Sequence, residues 1–61
     1  MKIKDVLSQG ISILKENNID DSNMKARIVL ADLLGKNKEY LMIHDEDDIE
    51  EGLNRIFLEK I

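Results

Sequence analysis

The stretch Met24 to Leu34, MKARIVLADLL, carries apolar side chains at nearly every angle a helix offers. At about 100° of turn per residue, Met24, Ala26, Ile28, Val29, Leu30, Ala31, Leu33 and Leu34 go almost all the way round. Only Lys25 and Asp32 share a polar strip, with Arg27 alone on the opposite side. Such a helix is stable where neighbours cover most of its sides. The rest of the chain is therefore expected to pack around it, and this second helix to be the most buried. Eleven residues interrupted by charge cannot span a bilayer.

The flanking segments supply the neighbours. Over residues 2 to 16, Ile3, Val6, Leu7, Gly10, Ile11, Ile13 and Leu14 fall on one helical arc. Lys2, Lys4, Asp5, Ser8, Gln9, Ser12, Lys15 and Glu16 fill the other, which predicts an amphipathic first helix. Gly10 sits mid-arc, where it costs up to about 1 kcal/mol relative to alanine; close approach of another helix explains it best. Asn17 to Ser22, NNIDDS, reads as a turn. Its asparagines end the first helix, Asp20, Asp21 or Ser22 accepts from the amides opening the second, and Ile19 tucks inward. Gly35 supplies a left-handed stop, with Lys36 just beyond. Asn37 can cap a short third helix from Lys38 to about His44, whose Tyr40, Leu41, Met42 and Ile43 point in all directions and plug the end of the bundle.

From Asp45 to Glu51, six of seven residues are acidic. An EF-hand loop starting at Asp45 needs glycine at its sixth position and glutamate at its twelfth, and those positions hold Glu50 and Ile56. A helix start fits better: Asp47 or Asp48 as N-cap, with Glu50 and Glu51 where the helix dipole favours negative charge. The last helix, about Ile49 to Lys60, is expected to bury Ile49, Leu53, Ile56 and Phe57, to pair Glu51 with Arg55, and to leave Leu58 exposed. It stops at Ile61 without a capping signal, so a cut rather than a natural terminus is expected there. The expected architecture is all-α, a single domain over residues 1–61 built as a small bundle of about four helices with short turns.

Composition narrows function mainly by exclusion. Sixty-one residues make one domain with a marginal core, and without cysteine no disulfide or thiolate-bound metal supports it. Residues 1 to 44 hold seven Lys or Arg and six Asp or Glu, against two and seven in residues 45 to 61. With net charge -4, no basic cluster, and Tyr40 and Phe57 as the only aromatics, direct nucleic-acid binding is not expected. The first ten residues are no secretory signal, and no membrane span is present, so a cytoplasmic location is expected. One histidine, His44, and serines at 8, 12 and 22 form no nucleophile-like set, and Gly10, Gly35 and Gly52 make no phosphate loop. Catalytic, cofactor-binding and metal-ligating residues are therefore all expected to be absent from this segment.

The order of several motifs carries more. Ile3-Lys4-Asp5-Val6-Leu7 with Gly10-Ile11 and Leu14, then Ala26-Arg27, Leu30, Leu33-Leu34-Gly35-Lys36 and Lys38-Glu39-Tyr40-Leu41, resembles the N-terminal domain of the HemK/PrmC-type release-factor glutamine methyltransferases over nearly the whole chain. Members of that family transfer a methyl group from S-adenosylmethionine to the glutamine of the GGQ motif in peptide-chain release factors. Their S-adenosylmethionine-binding sheet and NPPY motif lie downstream and are not among these residues. The resemblance thus implies a helical substrate-recognition domain without its catalytic domain, partnered by a release factor and by that domain, with S-adenosylmethionine belonging to the full-length enzyme. Lys36, Lys38, Tyr40 and Leu58 are the candidate partner-facing residues. Two other readings stand beside it: an acyl-carrier-like protein using Ser22 after Asp21 as the phosphopantetheine-bearing serine, and a free-standing interaction adaptor.

Overall fold

Two residues with left-handed backbone set the first corners of the chain. The computed structural model, which describes residues 1–61, has α1 at Ile3–Glu16, α2 at Ser22–Leu34, α3 at Lys38–Ile43 and α4 at Glu51–Lys60. Past α1, Asn18 takes φ 58°, and the amides of Asn18 and Ile19 donate back to the carbonyls of Lys15 and Leu14. Past α2, Gly35 takes φ 68°, and the amides of Gly35 and Lys36 donate to the carbonyls of Asp32 and Ala31. Both ends have the paired bonds of a Schellman motif, which satisfies carbonyls the helix leaves free. Asparagine is one of the few residues besides glycine that adopts this conformation readily.

The first turn departs from expectation in detail. Asp21 immediately precedes α2 but has φ 55°, and no side chain caps the helix. An effective N-cap side chain acts from extended backbone, which Asp21 does not have. Ser22 is instead the buried first residue of α2, and Ile19 is exposed rather than tucked inward. The second turn follows the sequence reading: the Asn37 side chain accepts from the Tyr40 amide at 3.0 Å and starts α3.

The wheel of α1 separates cleanly. Ile3, Val6, Leu7, Gly10 and Leu14 are buried, and every polar residue from Lys2 to Glu16 is exposed. α2 packs against α1, α3 and α4, most extensively against α1, so the chain is organised around it. It is nevertheless not covered on most sides. Ala26, Leu30 and Ala31 are buried, while Met24 and Ile28 remain 54% and 50% exposed. Three short neighbours on a 61-residue chain cannot enclose a whole helix, so α2 buries one stripe and α1 buries at least as much. Phe57, Leu30, Leu41 and Val6 are the largest fully buried side chains, drawn one from each helix. Gly10 lies directly against Phe57 and Ile61, so its missing side chain makes room for α4.

The acidic segment ties the two ends of the chain together. The Ile3 amide donates to the Asp47 carbonyl at 2.9 Å, Lys4 to Asp45 at 3.0 Å, and Ile49 to the Met1 carbonyl at 2.8 Å. Lys2 and Asp48 form an isolated antiparallel bridge. Amides at the start of α1 are thus satisfied by backbone carbonyls of the loop, with no capping side chain. Because residues up to Ile49 are held in this clasp, α4 begins at Glu51 with Glu50 before it, and neither Asp47 nor Asp48 caps it. Glu51 and Arg55 form no ion pair; the three present are Lys2–Glu46, Lys4–Glu46 and His44–Asp47. The stripe on α4 is rotated too. Ile49 and Phe57 are buried and Leu53 packs on the core, but Ile56 is 42% exposed and Leu58 is half-buried against the core. Of the two neighbours that flank Phe57 on the helix, Leu58 lies on the core side and Ile56 on the solvent side.

Candidate partner-binding surface

The junction of α2 and α3 gathers the polar side chains with the most defined geometry. Gly35 and Asn37 fix the turn, leaving Lys36 before α3 and Tyr40 on its first full turn. Lys36 Nζ lies 5.3 Å from the centroid of the Tyr40 ring, within cation–π range. One helical turn further on, Tyr40 stacks on His44 with centroids 4.1 Å apart and planes 24° apart. His44 Nδ1 then donates to Asp47 Oδ2 at 2.8 Å. Lys36, Tyr40, His44 and Asp47 so form a continuous surface row. Of the sequence-predicted residues, Lys36 and Tyr40 are brought into contact and Lys38 is exposed at the start of α3. Leu58 is not part of this face; it lines a separate concavity on α4 with Met1, Glu51, Asn54 and Arg55. His44 was not singled out from sequence as a surface residue, although its spacing of four from Tyr40 is the signal that aligns two rings on a helix.

A second feature lies beside it. Lys2 and Lys4 both reach Glu46, at 2.6 Å and 2.7 Å. Hydrogen bonds from Lys2 and then Lys4, with their positive charge, hold the Glu46 carboxyl down at about 2. The Lys4 ammonium is raised in turn, chiefly by its hydrogen bond to Glu46. This arrangement clasps the N-terminal segment to the loop. No group of three or more His, Cys, Asp or Glu side chains is placed to hold a metal ion.

The most exposed large apolar side chains are on α3. Met42 and Ile43 are 71% and 74% exposed, and Met42 edges a concavity shared with Lys4, Leu7, Ile11, Arg27 and Asp45. Exposed apolar side chains of this size are a feature of surfaces that meet other proteins. Ser22, by contrast, is only 7% exposed, which removes the accessible hydroxyl that an acyl-carrier role requires.

Fold and surface together define a small all-α domain whose ordered polar side chains lie on its outside. The family model described as the PrmC N-terminal domain matches residues 5–61, and the chain belongs to that family. It is thus related to the N-terminal helical domain of HemK/PrmC-type methyltransferases, as the run of motifs from Ile3 to Leu41 implies. No curated protein and no solved structure matches the chain.

Proposed function

We propose that this domain recognises peptide-chain release factors on behalf of an S-adenosylmethionine-dependent protein-glutamine methyltransferase that modifies their GGQ motif. The observation that carries the reading is family membership across residues 5–61. The segment from Lys36 to Ile43 supports it, since Lys36 meets the Tyr40 ring across the turn and Lys38, Met42 and Ile43 are exposed on the same short helix. Aromatic and exposed apolar side chains with charged residues around them are the residue types of an interface centre and its polar rim. In this reading the chemistry resides in a catalytic domain that binds S-adenosylmethionine, and the helical domain contributes orientation of the substrate protein. A cytoplasmic location follows from release factors being the substrate; no helix here is long and apolar enough to cross a membrane.

Calorimetric titration of the 61-residue chain with a purified release factor tests the reading. Saturable binding that Tyr40→Ala and the double variant K36E/K38E weaken, with the helical circular dichroism unchanged, supports it. A release factor that binds neither this chain nor the chain joined to a family catalytic domain sinks it.

A further inference from the structure

At the opposite end of α2 from Lys36, a slot of about 220 Å³ opens between α1, α2 and the end of α4. Leu14, Ile28, Val29 and Ile61 form its apolar walls, and Lys25 and Lys60 stand at its rim. Ile28 is half exposed there, and Met24, one turn earlier on the same row of α2, is 54% exposed. Together they leave an apolar strip about one turn long beside the slot. Neither rim lysine has a carboxylate partner, because the three ion pairs in the molecule involve only Lys2, Lys4 and His44 as cations. On a chain of net charge -4, two unpaired lysines flanking an apolar slot run against the general sign of the molecule.

We infer that this slot is a second docking site, taking an acidic amphipathic helix of a partner protein, with apolar anchors in the slot and carboxylates on Lys25 and Lys60. The strip along Met24 and Ile28 has the one-turn spacing at which anchors recur on such a helix. The lysines select acidic flanks, since like charges at a rim are repelled while opposite charges steer approach. The site is separate from the α2–α3 face and stands or falls independently of release-factor recognition.

The test is an NMR titration of the ¹⁵N-labelled chain with two synthetic helical peptides of about 15 residues. Both carry the same leucine pattern; one is flanked by glutamates, the other by lysines. The expected result is saturable shifts at Leu14, Ile28, Val29 and Ile61 with the acidic peptide, about tenfold weaker binding by K25E/K60E, and a preference of that variant for the basic peptide. Lys25 and Lys60 are exposed, so the double variant keeps its fold, and its amide spectrum verifies this. Equal binding of both peptides overturns the inference, as do shifts confined to other surfaces. It also fails if the same residues shift on concentrating the chain alone, which makes a second copy the occupant, or respond more strongly to anionic phosphatidylglycerol vesicles than to the acidic peptide.

Discussion

A β-carbon on Gly10 would stand 2.5 Å from Phe57 Cζ and 2.7 Å from Ile61 Cδ1. Helix α4 therefore rests on the bare backbone of α1 at this point. Alanine there gains up to about 1 kcal/mol of helix propensity but overpacks a fully buried ring, which typically costs about 1 to 3 kcal/mol. The ring has no exposed side to retreat to, so the steric cost wins. Gly10→Ala is expected to lower the unfolding free energy by a net of up to roughly 2 kcal/mol, read as a lower urea midpoint. Unchanged or increased stability would mean that α1 and α4 are further apart than described.

Leu30 and Ile28 lie on the same helix with opposite fates, fully buried and 50% exposed. Leu30→Ala should cost about 2 to 5 kcal/mol. A chain this size commands only about 3 to 9 kcal/mol in total, so much of that variant should be unfolded at room temperature. Ile28→Ala should stay within about 1 kcal/mol of the parent. Thermal melts of the two, side by side, decide whether the covered stripe of α2 is correctly placed.

The same comparison separates Leu58 from Ile56. Leu58 packs against the core and Ile56 faces water, so Leu58→Ser should lose about 1 to 2 kcal/mol while Ile56→Ser loses little. Equal melting temperatures for both variants would restore the helical-wheel assignment.

Acid titration reads the clasp at the N-terminus. A carboxyl held at about 2 in the fold, against an ordinary 4.5, contributes stability that is whole above about 4.5 and lost as pH falls from there toward 2. For Lys4, raised from 10.5, the contribution is whole below that value and lost only as pH rises above it. Glu46→Gln should therefore be less stable than the parent at neutral pH and equal to it near pH 2. All three side chains are exposed, so the neutral-pH difference should be small and disappear in about 1 M salt. A difference that persists in salt or grows in acid would contradict the assignment.

Local signals carried much of the fold. The separation of Ile3, Val6, Leu7 and Leu14 from their polar neighbours, the left-handed stop at Gly35 and the Asn37 cap each depend on residues within a turn of one another, and each is present. Gly10 was legible as well, because a glycine in the middle of an apolar arc has few other uses. The order of motifs from Ile3 to Leu41 likewise placed the chain in its family. The candidate face was legible only in part: the spacing of four from Tyr40 to His44 is a helical signal, but the contact of Lys36 with Tyr40 before α3 and of His44 with Asp47 after it depend on turn geometry that residue spacing does not specify.

What sequence alone could not decide were pairings between distant residues. Apolar side chains surround α2, so the sequence did not say which stripe would be covered; the crossings of α1, α3 and α4 chose Ala26, Leu30 and Ala31 and left Met24 and Ile28 in water. The acidic run had the composition of a helix start, yet its carbonyls are taken by amides more than forty residues away, at Ile3 and Lys4. That clasp moved the start of α4 to Glu51. Which side of Phe57 meets the core was likewise decided by packing against distant residues, and there Leu58 faces the core and Ile56 the solvent.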